Sequence, residues 1–248
     1  MKLNKRIVAG MIMPLMCMFA QSGREILERV DDNTVVTTSS YDARMIISLG
    51  GTIREKRFTG YGEGKERAYM EFTYPARDKG TRFLKIGDEM WIYLPSVEKA
   101  TKIAGHMLRQ SMMGSDFSYD DILENEKLIE LYEVELTGTD TIDKEECYVL
   151  ELTAQVKDVT YYSRKLWVDK NRYVTLKAEL FAKSGKLLKE ITMGEFKNIA
   201  GYRFPTSIKM VNKLRQDTYT ELLLDDVELD IVIPARIFTK AYLERVNR

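Results

Sequence analysis

The stretch Arg67-Ala68-Tyr69-Met70-Glu71-Phe72-Thr73-Tyr74 alternates with a period of two. Ala68, Met70, Phe72 and Tyr74 fall on one face, and Arg67, Tyr69, Glu71 and Thr73 on the other. That spacing fits a half-buried strand and no helix. The same period recurs at Tyr148, Leu150, Leu152, Ala154 and Val156, and again at Val174, Leu176, Ala178 and Leu180. Turn signals separate the runs: Gly50-Gly51, Gly62 and Gly64, Gly87-Asp88, Asp169-Lys170-Asn171 and Ser184-Gly185. About ten or eleven strands, mostly joined as hairpins, are expected. Nothing reads as a strand–helix–strand unit, which excludes a parallel nucleotide-binding sheet. One short amphipathic helix is expected over 22–30, with Ile26, Leu27 and Val30 on one side.

The ends and the charge balance narrow the class. Lys2, Lys5 and Arg6 flank the start of an apolar run from Ile7 to Phe19, followed by Ala20 and the polar Gln21-Ser22-Gly23. This pattern reads as a secretory signal peptide over residues 1–20, too short to span a bilayer. Residues 21–248 carry no Pro/Ser-rich linker and no block of one charge, so a single domain is expected. Cys17 follows Met16, which is bulky where lipid attachment wants a small residue, so acylation there is disfavoured. Without the signal, Cys147 is the only cysteine; it can form no intrachain disulfide and is expected as a small buried hydrophobe. The exported chain would hold 35 basic against 38 acidic residues, a balance of −3. That balance argues against a nucleic-acid partner and against binding an anionic membrane by charge alone.

Alternation stops between Ala104 and Glu124, "AGHMLRQSMMGSDFSYDDILE", and a segment of this length within a β domain usually covers something or carries function. Its chemistry is sparse. His106 is the one histidine of the chain, so no histidine metal cluster can form, and no G-x-S-x-G elbow accompanies it. Gly60–Lys65, "GYGEGK", has the wrong spacing for a phosphate loop and runs into a strand where such a loop needs a helix; a hairpin turn is expected. Asp116, Asp120 and Asp121 do not match a calcium loop. Ser118 reads instead as a helix N-cap, with the acids that follow it facing the positive end of the helix dipole. No pair of carboxylates stands out by spacing. No catalytic residue, no metal and no cofactor is expected.

The apolar residues say more. In "DEMWIYLP", Trp91 and Tyr93 share one face and Met90, Ile92 and Leu94 the other, so both faces are apolar. One would cover a core while the other lines a pocket or meets a lid, or both would pack on helices. Met107, Met112 and Met113 beside Phe117 suit a flexible lid that closes on itself when empty.

Gly80–Ile103, "GTRFLKIGDEMWIYLPSVEKATKI", then "SMMGSDFSYDDI", then Leu166–Ile191 and "GYRFPTSIKM" resemble the outer-membrane lipoprotein-sorting proteins of the LolA/LolB-like superfamily. The resemblance is nearest to the LolA-like branch with a G-S-D-F-S-Y-[DE]-D signature, here Gly114 to Asp121. It runs over about residues 22–248 and implies a mainly β fold: an unclosed antiparallel barrel, a half-pipe with a few lid helices around a hydrophobic cavity. LolA-type carriers hold lipoprotein acyl chains there and ferry them across the periplasm. A periplasmic, monomeric carrier is therefore expected, bound to lipoprotein or lipid acyl chains and served by a membrane exporter or an outer-membrane acceptor. The expected lining of cavity and lid is Phe72, Trp91, Tyr93, Met112, Met113, Phe117 and Tyr119. Arg44 is the nearest candidate by position for a lid-locking arginine. Two rival readings are a lipid-binding accessory subunit of a membrane exporter and a carboxylate-dependent hydrolase.

Overall fold

A computed structural model describes residues 21–34, 36–124 and 126–245. The expected signal peptide, with Cys17, lies outside the described residues. Helix α1 (Gly23–Thr34) comes first and buries Ile26, Leu27 and Val30. A meander of six strands follows: β1 (Thr38–Leu49), β2 (Thr52–Glu63), β3 (Arg67–Tyr74), β4 (Arg82–Ile86), β5 (Glu89–Leu94) and β6 (Lys99–Ile103). The break holds α2 (Tyr119–Leu123) and α3 (Leu128–Leu131). A second meander comprises β7 (Tyr132–Ile142), β8 (Glu145–Ala154), β9 (Ser163–Asp169), β10 (Thr175–Phe181), β11 (Leu187–Ile199), β12 (Tyr202–Asn212) and β13 (Thr218–Leu229). A last turn, α4 (Lys240–Leu243), closes the chain's described part.

Among the described residues, thirteen strands form one antiparallel sheet in the order β6-β5-β4-β3-β2-β1-β13-β12-β11-β10-β9-β8-β7. The two meanders join where β1 pairs with β13, while β6 and β7 remain as separate edges. The architecture is an unclosed half-pipe with a few helices. Thirteen strands exceed the ten or eleven expected because some lack a clean alternation. Lys99–Ile103 buries only Ile103, and the middle of β7 is exposed on both faces.

Residues directly opposed in a ladder share a face, so the register traces each side of the sheet. Met45, Leu222, Ile208 and Met193 form one row, and Thr220, Met210, Ile191, Ala178, Leu166 and Leu150 the next. This inner face is therefore apolar across nearly the whole sheet. On the β7–β10 half, α1 and α3 cover it and build a core around Leu150, Leu152, Leu166 and Leu180. On the β1–β6 half, the segment after β6 covers a core of Met45, Phe58, Phe72, Phe83 and Met90. The outer face holds Tyr69, Leu84, Trp91 and Tyr93 under Ile237, Phe238 and Leu243. Cys147 is buried there, beside Val149 and Trp167.

The third alternating run does not keep one face. Ala178 and Leu180 join the inner core, whereas Val174 and Leu176 pack outside with Trp167. A bulge between Thr175 and Lys177 supplies the extra residue that reverses the side-chain direction. Val156, expected at the end of the second run, lies beyond β8 and is exposed.

Candidate functional site

The segment after β6 lies on the inner face as a lid. It begins with a 3-10 turn, Gly105–Arg109, and a second over Met112–Gly114. Met113 and Gly114 both take left-handed backbone conformations, φ 53° and 81°. This double reversal lets the strap fold back, so that Ser111 bridges Ser118 and the Met112 amide donates to the Phe117 carbonyl at 2.8 Å. Met112 is thereby pressed into the sheet, with Leu108, Met113, Tyr119, Ile122 and Leu123 packed around the same core. A chain of rings runs beneath it: Phe58 to Phe72 at 5.1 Å, Phe72 to Phe83 at 5.9 Å, and Phe83 to Tyr119 at 5.9 Å.

Polar bonds fix this apolar lid at few points. Asp116 is buried; its carboxylate accepts from the hydroxyls of Thr218 (3.2 Å) and Thr220 (2.9 Å), and its amide donates to Thr220 Oγ1 at 2.9 Å. Ser118 caps α2 in a reciprocal box with Asp121. The Asp121 carboxylate collects donors from four groups: the Ser118 amide (2.6 Å), the Ser118 hydroxyl (2.8 Å), the Tyr161 hydroxyl (2.5 Å) and Lys189 Nζ (2.5 Å). Lys85 Nζ donates to the Ile122 carbonyl at 2.8 Å. Arg164 pairs with Glu124 while its guanidinium lies 4.9 Å from the Tyr132 ring and 5.5 Å from the Tyr161 ring.

These groups titrate as their surroundings dictate. Burial pulls the Lys85 ammonium down to about 8, because a buried cation loses hydration. Burial pushes the Tyr161 phenol up, and the adjacent Asp121 carboxylate adds to that. Burial opposes the charge on Arg164, but Glu124 and Tyr132 together outweigh it and hold the guanidinium above its ordinary value. Asp120 is raised by desolvation and by its neighbour Asp121.

The structure gathers four of the residues read from the sequence, Phe72, Met112, Met113 and Tyr119, into one cluster. Phe117 is also buried, at the end of the strap beside Lys189 and Arg215. Trp91 and Tyr93 lie across the sheet, under Ile237, Phe238 and Leu243. Alternation put the two on a common face but could not say which face was inner. Arg44 points outward as well; its Nε meets Asp225 at 2.8 Å in an exposed pair. The acidic triad diverges: Asp116 is bonded to Thr218 and Thr220 of β13, Asp121 to Tyr161 of the β8–β9 loop and Lys189 of β11, and Asp120 is half-buried. Among the described residues, no group of three or more His, Cys, Asp or Glu is placed to hold a metal. His106 is exposed.

Lys85, Arg164, Lys189 and Tyr161 went unread because no local motif contains them. A usable signal was present. Lys85 stands in register with Phe83, Arg164 with Leu166 and Lys189 with Ile191, each a cation in the apolar phase of a strand. Such a residue is costly unless something comes to meet it.

A family model described as "-like: Uncharacterized protein" matches residues 64–245. No curated protein matches the chain. Among solved structures, the chain is similar to a DUF1329 family protein from Desulfovibrio piger, with 25% identity, 89% of this chain and 97% of that one covered, and a TM-score of 0.83. It is similar to a LolA superfamily protein from Nitrosomonas europaea at 29% identity, covering 90% and 100%, with a TM-score of 0.74. A putative outer membrane lipoprotein-sorting protein domain from Vibrio parahaemolyticus shares the fold at 23% identity, covering 90% and 98%, with a TM-score of 0.80. The resemblance to LolA-like lipoprotein-sorting proteins thus holds in three dimensions.

Proposed function

The chain belongs to the family whose model it matches, and from that premise we propose that it is a non-catalytic carrier of acyl chains. It takes up a lipid or the acylated end of a lipoprotein on the inner face of the half-pipe, in the periplasm, after removal of residues 1–20. It then passes the cargo toward the outer membrane. The observation that carries this reading is the lid itself. A strap rich in methionine and aromatic side chains covers an apolar sheet face, yet its polar attachment rests on a few side chains from β4, β9, β11 and β13. A lid so fixed can detach as a unit, and the apolar surface beneath it then needs another cover.

The energies suit such an exchange. Burying an acyl chain of about sixteen carbons gains on the order of 13 kcal/mol, at about 0.8 per methylene, before ordering costs. Lifting Met112, Met113, Tyr119, Ile122 and Leu123 off the sheet costs part of that gain, so the lid acts as a stand-in that the cargo displaces. Release then requires an acceptor, and the lid falling back supplies some of the drive.

Native mass spectrometry of the protein purified from its own cells, followed by lipid extraction, tests the proposal. A bound acylated species supports the carrier and names the cargo. A protein that is empty and also fails to take up a fluorescent fatty acid refutes it.

A further inference from the structure

Of the cavities around the lid, two differ in charge, while a third, of about 560 Å³, shares Asp120 and Asp158 with the first and Arg109 with the second and also holds Lys157 and Lys183. The first, of about 330 Å³, is lined by Asp88, Asp120, Glu124, Glu126 and Asp158. The second, of about 420 Å³, lies between the strap and the ends of β11 and β12; Arg109, Lys189 and Arg215 line it together with Gln110, Ser111 and Asn212. Lys189 spends its charge on Asp121, and the one carboxylate of this second cavity, Asp116, is taken up by Thr218 and Thr220. Among the described residues, neither the Arg109 nor the Arg215 guanidinium forms a salt bridge, although Arg109 lies close enough to Asp120 to favour its carboxylate. Phe117 lines the same cavity, where the basic pocket meets the apolar strap.

We infer that this basic cavity holds the anionic head group, phosphate or carboxylate, of the amphiphile whose acyl part lies on the inner face. The inference rests on the carrier reading and deepens it by naming the cargo's chemical class. Two planar forks line the cavity, one from the strap and one from the β12–β13 turn, and suit bidentate bonds to an anion with several oxygens. The amide and hydroxyl groups of Gln110, Asn212 and Ser111 add neutral donors. The acidic cavity across α2 repels the same group, so the pair fixes which way round the amphiphile lies. A neutral head group gains nothing from either.

Calorimetric binding of dodecyl phosphate and dodecyl maltoside, both below their micellar concentrations, to the full exported chain and to an Arg109→Gln/Arg215→Gln variant tests this. Both arginines sit at exposed positions, and a denaturant midpoint confirms that the variant folds. The expected result is tighter binding of dodecyl phosphate, weakened about a hundredfold in the variant, about tenfold for each charge-assisted arginine contact. Maltoside binding should not change, and the phosphate preference should fade as salt is raised. Equal affinity for both probes in both proteins overturns the head-group assignment and leaves the carrier standing. Binding of neither probe overturns the carrier, and the assignment falls with it. Inorganic phosphate binding as tightly as dodecyl phosphate makes this a free-anion site and overturns the assignment.

Discussion

Replacing Asp121 with asparagine should open the lid without unfolding the sheet. The substitution keeps the shape and removes one charge from a side chain that is 8% exposed and faces Lys189, itself 12% exposed. Four donor interactions converge on the carboxylate. Bonds to a charged acceptor are worth roughly 1.5–3 kcal/mol and neutral ones about 1, and an amide must also turn hydrogens toward a donor. Breaking a buried pair costs about 3–5 kcal/mol. Since Lys189 retains some solvent and Tyr161 can rotate to accept, about 3 kcal/mol is the expected loss from the closed state. At 1.4 kcal/mol per tenfold, the open-to-closed ratio rises by about 150. Amide hydrogen exchange reads this directly. The Asp116 amide, bonded across to Thr220 Oγ1 of β13, should exchange about a hundredfold faster. Amides of the β8–β9 ladder, such as those around Leu150 and Leu166, should keep their protection. Unchanged exchange in the strap would refute the clasp. So would an equal loss of protection in strap and ladder, because Asp121 would then hold the whole fold and not the lid.

Three further outcomes follow from particular contacts. Met113→Asp should weaken fatty-acid binding at least tenfold while the melting temperature stays within a few degrees, because Asp tolerates the φ of 53° at this half-buried position but puts a charge against the apolar face; unchanged affinity in a calorimetric titration would take the strap out of the site. Lys85 has its pKa lowered from 10.5 to about 8, so between those values the unfolded chain binds more protons than the folded one and stability rises with pH. Urea midpoints of wild type and Lys85→Met should therefore diverge through that window, the wild type gaining at most about 3 kcal/mol relative to the variant, and a flat difference would refute the assignment. Gly60→Ala would place a Cβ 2.4 Å from the Tyr41 ring, its partner across the β1–β2 ladder. A loss of about 1–3 kcal/mol is expected, largely absent in a Tyr41→Ser background; an equal loss in both backgrounds would show that crowding by the ring is not the cause.

The strand phase of this chain was readable because a half-buried strand writes its burial into the sequence with a period of two. Met70 and Phe72 inside and Tyr69 outside follow from that period, and so does the capped turn at Ser118, where the cap and its partner lie three residues apart. The reading failed where geometry adds or removes a residue. The bulge at Leu176 turned Val174 and Leu176 outward, and no local signal announces a bulge. Trp91 and Tyr93 share a face as the alternation requires, but it is the outer one, under Ile237, Phe238 and Leu243, because a period of two cannot tell the inside of a curved sheet from the outside. The C-terminal segment that covers them, Ile237 to Leu243, is more than a hundred residues away.

The sequence by itself therefore determined the kind of sheet, its antiparallel hairpins and the place where the pattern breaks for a lid, since all of these rest on neighbours within a few positions. Only the tertiary structure decided what holds the lid. Lys85, Arg164, Lys189 and Tyr161 come from strands and loops far apart in the chain and meet α2 because thirteen strands curve around it. In its own segment each of the three cations shows only that it sits in an apolar phase, and Tyr161 shows nothing; none names the partner it meets. Their joint effect depends on distances of 2.5–2.8 Å between groups 37 to 68 residues apart, which local periodicity cannot encode.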